Sequence, residues 1–348
     1  MITHTQLRFG FSLLIAAGFL TAQSIVAQPV DSPEKGRLDI AHLFELGSVS
    51  DPQISPEGDW VAYVVSRENL EKDQSESRIW MVTVKGGDAI PMTTKGSSSS
   101  HPRWSPDGKY LAFLSARDEG KTQVWRLSRY GGEAIQLTDT AQSVGSFEWS
   151  PDSRQMLLVL QDPTPQELAT KAGDEEAADK TPPPWVIDRQ QFKTDYVGYL
   201  DRRRTHVYVM DVGAAESEPA GVASQGKDQS DAAKPGVEAA IGGIRQLTFG
   251  DFDDSEATWS PDGKRIAFTS NRTENPDSNY NPDIWTVYST PGESASELTQ
   301  VTKTPGPDAS PAWSLDGKLI AHTTITNTEA VVYGTAHLAV SESAGDET

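Results

Sequence analysis

The sequence predicts an all-β protein, a β-propeller of four-stranded blades, because three signals recur along it in the same order. The first is a tryptophan-led turn, Trp-Ser-Pro-Asp-Gly-Lys or a close variant, followed by a short apolar run. The second is a strand with an aromatic residue at its centre, and the third is a glycine turn leading to Leu-Thr or Met-Thr. The unit returns at intervals of roughly 45 to 55 residues, which is typical of a repeat array such as a propeller.

The tryptophan-led turn is the clearest part of the repeat. Serine suits the first position of a type I turn, proline presets the backbone of the second, and glycine suits the fourth. Each copy therefore predicts a tight turn between two strands. Copies begin at Trp104, Trp149, Trp259 and Trp313, and a degenerate copy begins at Ile54.

The segments after each turn have the composition of short strands. Runs that are apolar on both faces suit a strand packed between neighbouring sheets, and the whole unit holds three or four such strands. About five blades are visible, and the array ends without completing its last unit. The alternative is a β-sandwich with coincidental turns. The apolar runs are Tyr110–Leu114, Met156–Leu160, Ile266–Thr269 and Leu319–Ala321, and the aromatic strands are Ile79–Val82, Val124–Leu127, Val207–Met210 and Ile284–Val287.

One interval is about twice as long as the others. Between Ser150 and Ser260 the three signals still occur only once, so we interpret this stretch as one expanded blade. Its extra length falls in segments 161–185 and 213–240, which are rich in small, polar and charged residues and lack a periodic apolar face. Such composition predicts mobile insertions on the rim of the blade.

The N-terminus has the order of a secretory signal peptide. Arg8 precedes an apolar core from Phe9 to Leu20, and small residues follow around Ala27. A core of about twelve apolar residues is too short for a stable membrane span, although an uncleaved anchor is the alternative. We therefore expect a signal peptide over 1–27, a linker over 28–37, a propeller over 38–348, and a periplasmic or extracellular location without a stable membrane anchor.

Composition narrows the classes of function. The chain has no cysteine, which excludes disulfides, thiolate nucleophiles and thiolate metal ligands. Its formal net charge of −20 opposes nonspecific binding to nucleic acid. We expect no nucleic-acid partner and no cofactor.

No catalytic, cofactor-binding or metal-binding residue is predicted. The serine-rich stretch from Gly96 to His101 lacks the second glycine of a G-x-S-x-G elbow, and we interpret it as a loop between blades. The histidines that follow the predicted signal peptide do not have the spacing of metal ligands, and we interpret them as surface or packing residues. These histidines are His42, His101, His206, His322 and His337.

Two acidic stretches are weak candidates for cation binding. The segment from Asp277 to Asp283 alternates oxygen-bearing side chains as an EF-hand does, but Pro282 and Tyr288 stand where that loop needs glycine and glutamate. A group formed by Asp251, Asp253 and Asp254 is better explained as solvated turn carboxylates.

The repeats resemble the N-terminal propeller of the prolyl oligopeptidase family of serine peptidases, in particular its acylaminoacyl-peptidase and dipeptidyl-aminopeptidase branches. The stretches 188–209 and 247–272 carry the resemblance to the peptidases. The tryptophan-led turns are also similar to those of the Tol-Pal system propeller. The resemblance covers roughly residue 38 to the C-terminus.

The resemblance implies that no residue of this chain is catalytic. In that family an α/β-hydrolase domain follows the propeller and supplies the catalytic residues, and the propeller restricts substrates to peptides and small proteins. We therefore expect the substrate-gating part of an exported serine peptidase, inactive alone, whose partners are peptide substrates. The alternative is a non-enzymatic envelope propeller that binds a protein partner.

Overall fold

The computed structural model describes residues 40–94, 98–117, 120–181, 184, 186–195, 197–213, 243–290, 298–328 and 333–345. The predicted signal peptide, the linker and nearly all of segment 213–240 lie outside these ranges. The chain divides into one unit that ends at Leu43 and a second that begins at Phe44. A short helix, α1 (Ile40–Glu45), precedes the first strand, and all the described strands belong to the second unit.

The strands form successive antiparallel blades, as the repeat predicts. The described residues contain four blades of four strands and a fifth of three strands, and one parallel pair, Ser77 with Ser98, joins the first two blades into a single sheet. Blade 1 contains β1 (Ser48–Ile54), β2 (Trp60–Asn69), β3 (Gln74–Thr83) and β4 (Ile90–Pro91). Blade 2 contains β5 (Ser98–Trp104), β6 (Tyr110–Ala116), β7 (Gln123–Ser128) and β8 (Ile135–Gln136).

Blade 3 is the expanded one, and its order confirms that the long interval holds a single blade. It contains β9 (Val144–Trp149), β10 (Gln155–Gln161), β13 (Thr205–Asp211) and β14 (Arg245–Gln246). Its insertion carries helices α2 (Pro165–Ala172) and α3 (Glu175–Ala178) and the hairpin strands β11 (Lys193–Thr194) and β12 (Gly198–Tyr199).

Blades 4 and 5 follow the same plan. Blade 4 contains β15 (Asp254–Trp259), β16 (Arg265–Ser270), β17 (Asp283–Tyr288) and β18 (Thr299–Gln300), with a 3-10 turn over Pro276–Ser278. Blade 5 contains β19 (Asp308–Trp313), β20 (Leu319–Thr324) and β21 (His337–Glu342).

The tryptophan-led turn has the predicted form and a side-chain network that holds it. In the copy after Trp104, the Gly108 N–H donates to the Ser105 carbonyl at 2.8 Å. The Ser105 hydroxyl donates to Asp107 at 2.6 Å and accepts the N–H of Tyr110 at 3.0 Å. The same network of serine and aspartate recurs in the copies that contain Ser150, Ser260 and Ser314.

Consecutive blades contact each other through these repeated residues. The Trp104 indole Nε1 donates to the Gln53 carbonyl of blade 1 at 3.1 Å, and Trp149 makes the equivalent bond to the Arg103 carbonyl at 3.2 Å. Trp313 repeats this contact with the Thr258 carbonyl at 3.3 Å. The repeat therefore encodes the packing between blades as well as the turn.

The core lies between blades and consists of the predicted apolar strands. The largest fully buried side chains include Phe113, Leu158, Phe268 and Ile320, one from the second strand of each of blades 2 to 5. Burying a side chain of this size contributes about 1.5–3 kcal/mol relative to leaving it exposed.

The first strands of four blades share a bulge. Asp51, His101, Glu256 and Ser310 each have positive φ, and the register of the strand pair shifts at each of them. His101 therefore lies in strand β5, together with Ser98 to Ser100, and the interpretation of this serine stretch as an inter-blade loop is wrong. The sequence did not indicate strand β5, because its serine and proline residues are more typical of loops than of strands.

Candidate functional site at the insertion end of blades 2 to 4

The blade 3 insertion lies at the end of the blades opposite the tryptophan-led turns. Strands alternate in direction, so the turn between the first and second strands is at one end and the link between the second and third is at the other. The insertion is the link between β10 and β13. We call the part of the protein formed by this insertion and the neighbouring loops of blades 2 and 4 the insertion end.

Helix α2 begins with a complete capping box. The Thr164 side chain accepts the N–H of Glu167 at 3.0 Å, and the Glu167 carboxylate accepts the N–H of Thr164 at 2.8 Å. Gly173 ends the helix in the left-handed conformation, with φ of 74°. These caps stabilise a helix that buries none of its residues.

Ion pairs hold α2 against blade 2. Lys121 of blade 2 pairs with Glu167 at 2.6 Å, and Lys171 of the helix pairs with Asp139. Lys121 and Thr164 lower the pKa of Glu167 below its ordinary value, although burial acts in the opposite direction. A cleft of about 730 Å³ lies between the helix and blade 2.

A second set of contacts ties the insertion to blade 4. The Asp277 carboxylate accepts the backbone N–H groups of Gln190 at 2.5 Å and Gln191 at 2.9 Å, and the Arg189 guanidinium lies 3.6 Å from it. The two backbone hydrogen bonds lower the pKa of Asp277 below its ordinary value. The insertion therefore bridges from blade 2 to blade 4.

The acidic group of the blade 3–4 link pairs with the protein's own cations. Arg204 contacts Asp251 at 2.6 Å and Asp253 at 2.9 Å. Asp254 is fully buried in β15, 2.7 Å from Arg272. Burial opposes its ionisation, but His206, Thr248 and Arg272 together lower its pKa below the ordinary value. Asp251 and Asp253 are exposed, as expected of solvated turn carboxylates, and that interpretation is wrong for Asp254.

The calcium-like segment also has a structural role. Asp277 is occupied by the insertion, whereas Asp283 begins β17 and accepts hydrogen bonds from Gln300 at 3.0 Å and Thr302 at 3.2 Å. Burial, with Asp308 nearby, raises the pKa of Asp283 to about 6. Among the described residues, no group of three or more His, Asp or Glu side chains could hold a metal ion.

The histidines do not converge on one site. His101, His206 and His322 lie in strands of blades 2, 3 and 5, and His337 begins β21. His101 contacts Arg103 at 3.1 Å, and burial together with that arginine lowers its pKa. The expectation that no residue of this chain is catalytic stays a prediction.

Sequence reasoning missed the helices and hairpin of the insertion. The Thr164-Pro-Gln-Glu167 capping box and Gly173 were the available signals for α2. The contact of Gln190 and Gln191 with Asp277 joins residues more than 80 positions apart, and no local sequence pattern predicts it. Whether segment 161–185 is mobile stays a prediction.

Comparisons with known proteins agree with this architecture. Residues 25–180 match the family model described as PD40, TolB beta propeller domain. An acylaminoacyl peptidase of Pyrococcus horikoshii superposes on 87% of this chain with a TM-score of 0.58 and 19% identity. The β-propeller fold is confirmed.

Sequence relatives include peptidases. The chain is 49% identical over 71 residues to the uncharacterized peptidase YuxL of Bacillus subtilis (strain 168), and this match covers 20% of the chain. It is 28% identical over 101 residues, 28% of the chain, to dipeptidyl-peptidase 5 of Porphyromonas gingivalis. The resemblance to peptidase and TolB propellers is therefore confirmed.

The matches span small parts of these proteins. They cover 11% of the Bacillus peptidase, 15% of the Porphyromonas peptidase and 39% of the Pyrococcus chain. The described residues contain no helix that is long and apolar enough to cross a membrane.

Proposed function

We propose that this chain is the non-catalytic, substrate-gating propeller portion of an exported serine peptidase that acts on peptides. The observation that carries the proposal is the 49% identity over 71 residues to a peptidase. The propeller fold shared with an acylaminoacyl peptidase is consistent with it.

The absence of a nucleophile elbow from the sequence fits a non-catalytic role. A serine nucleophile needs a positioned base and a hydrogen-bonded oxyanion site, and no G-x-S-x-G motif occurs here. The hydrolysis would belong to an α/β-hydrolase domain, as the resemblance implies. In this proposal the propeller restricts access to that domain to peptides and small proteins.

Export is part of the proposal. The order of Arg8, the apolar core and the small residues near Ala27 supports a signal peptide and a periplasmic or extracellular location.

The alternative function is that of an envelope propeller that binds a protein partner. The match of residues 25–180 to the TolB beta propeller domain favours it. The two functions differ in what the gene encodes beyond Thr348.

The test is to read the coding sequence past Thr348 and to express its whole product. The proposal predicts an in-frame G-x-S-x-G-G elbow within a few hundred residues. It also predicts hydrolysis of acyl-peptide or aminoacyl chromogenic substrates, lost when the elbow serine is changed to alanine. A stop codon at that point, with normal expression of the protein, would contradict the peptidase and favour the partner-binding propeller.

A further inference from the structure

The hairpin of the insertion exposes more apolar surface than a polar insertion needs. Val197 is 70% exposed and Tyr199 is 51% exposed, and the Tyr199 ring stacks on Phe192 with centroids 6.4 Å apart. Across from the hairpin, Tyr280 of blade 4 is 68% exposed. Clustered exposed apolar side chains mark interaction sites more often than scattered ones do.

A groove separates the hairpin from the loop of blade 4. We call it the hairpin groove; its volume is about 520 Å³. Both walls are fixed in place, because the Asp277 carboxylate of one wall accepts two backbone N–H groups of the other. The residues that line it include Gln191, Lys193, Thr194, Asp277, Asn279 and Tyr280.

The wall formed by β11 is an unpaired strand edge. In the described structure β11 pairs with β12 alone. The Leu200 N–H donates to the Phe192 carbonyl at 2.8 Å, and Thr194 is opposite Gly198. Because hydrogen-bonding groups alternate along an antiparallel strand, the N–H and C=O of Lys193 point away from β12. A second backbone in extended conformation can pair with these two groups in place of water.

The charge of Lys193 indicates which ligands the hairpin groove favours. Lys193 is exposed, and it forms no ion pair with any described residue. An acidic side chain on the occupant would pair with Lys193.

We propose that the hairpin groove binds an extended peptide that adds a strand to β11, placing an apolar side chain against Tyr280 and a carboxylate against Lys193. The occupant is a peptide that alternates apolar and acidic residues, because alternate side chains of a strand point to opposite faces. This inference rests on the proposed function and names a substrate class for it.

The experiment measures fluorescence anisotropy of the full chain with three labelled peptides. The first is acetyl-Gly-Leu-Glu-Leu-Glu-Leu-Gly-amide, the second replaces its leucines by serine, and the third replaces its glutamates by lysine. We expect the first to bind at least about tenfold more tightly than either of the others, a difference of about 1.4 kcal/mol.

A charge reversal tests the orientation of the peptide. Lys193→Glu should weaken the glutamate peptide by about tenfold or more and strengthen the lysine peptide, since like charges repel across the contact. Lys85→Glu, at an exposed turn of blade 1, is the matched control and should change neither affinity.

An aromatic deletion tests the apolar wall. Tyr280→Ala should weaken the leucine peptides by about tenfold, whereas Tyr288→Ala, which removes a tyrosine 57% exposed in the same blade, should not. Thermal melts of all variants should match the wild type, because every substituted side chain is exposed.

Three results would overturn the proposal. These are no binding of the first peptide, equal affinities for the three peptides, or variants that do not differ from their controls. Dimerisation of the chain that Tyr280→Ala abolishes would assign the groove to a second copy. Binding is measured without any hydrolase domain. A stop codon after Thr348 would therefore contradict the proposed peptidase function without affecting the test of peptide binding.

Discussion

The glycine of each tryptophan-led turn occupies a backbone conformation that other residues avoid. Gly108, Gly263 and Gly317 have φ of 70°, 69° and 69°. Blade 3 has Ser153 at the equivalent position, with φ of 61°, and its hydroxyl accepts the N–H of Asp107 in blade 2 at 3.1 Å. Proline, serine and glycine made this turn predictable from sequence, because each residue has its own preference within four positions.

Replacing a turn glycine by valine should destabilise the protein. For Gly263→Val we expect a loss of about 1 to 3 kcal/mol, since a Cβ is disfavoured at positive φ. Urea melts measure the change. Gly243→Val is the control, because that glycine is exposed, lacks positive φ and would place its Cβ in open space. Equal, negligible losses at Gly263 and Gly243 would contradict the equivalence of the turns.

Two of the turn tryptophans, Trp104 and Trp259, are similarly buried but differ in hydrogen bonding, and Trp313 is only partly buried. Trp104 and Trp259 are 8% and 5% exposed, and truncating either to alanine should cost roughly 3–5 kcal/mol. The Trp259 Nε1 has no hydrogen-bond partner among the described residues, whereas that of Trp104 donates to Gln53. Sequence could not reveal this difference, because the acceptor lies in the preceding blade.

Phenylalanine substitutions separate packing from hydrogen bonding. Trp104→Phe should cost about 1 kcal/mol more than Trp259→Phe, since only the former loses a hydrogen bond and leaves a carbonyl unpaired. Denaturant unfolding of the two variants gives the comparison. A larger loss at Trp259 than at Trp104 would contradict the assigned contacts.

At the scale of elements, the blades were predictable and the insertion was not. Apolar runs such as Met156–Leu160 bury most of their residues, and they identify their strands by composition alone. Helix α2 buries no residue, so it leaves no periodic apolar pattern in the sequence. The hairpin is held against blade 4 by the Asp277 carboxylate and by the Gln191 side chain, which donates to the carbonyls of Asp277 at 3.2 Å and Asn279 at 3.3 Å. Only the folded chain brings these groups together.

Removing that carboxylate should release the insertion locally. Asp277→Ala deletes the acceptor for the N–H groups of Gln190 and Gln191, so we expect these amides to exchange with solvent faster by tenfold or more. Hydrogen exchange followed by mass spectrometry measures it. Glu274→Ala, an exposed carboxyl of the same loop, should leave exchange unchanged. Identical exchange in the two variants would show that Asp277 does not hold the insertion.

At the scale of the whole molecule, the junction between blades 3 and 4 partly buries the carboxyl group of Glu148. The Thr258 hydroxyl donates to Glu148 at 3.2 Å. Burial raises the pKa of Glu148 to about 7 from a usual value of 4.5. The folded protein therefore holds this proton more tightly than the unfolded chain. The stabilising contribution is present below pH 4.5 and is lost as the pH rises through 7.

Glu148→Gln should remove this pH dependence while keeping a hydrogen-bond acceptor for Thr258. At pH 4 the variant and the wild type should be about equally stable, and by pH 8 the variant should be more stable by about 3 kcal/mol. Unfolding free energies across this range check the sign. A difference between the two proteins that does not change with pH would contradict the burial of a protonated Glu148.

The central claim is that these blades form a non-catalytic propeller of a peptidase. The most direct test is to incubate the purified chain with a serine-directed fluorophosphonate and with acyl-peptide and aminoacyl chromogenic substrates. We predict no labelling and no hydrolysis, because the sequence holds no elbow serine with a paired base. Stoichiometric labelling at a serine of this chain, together with substrate hydrolysis, would contradict the claim.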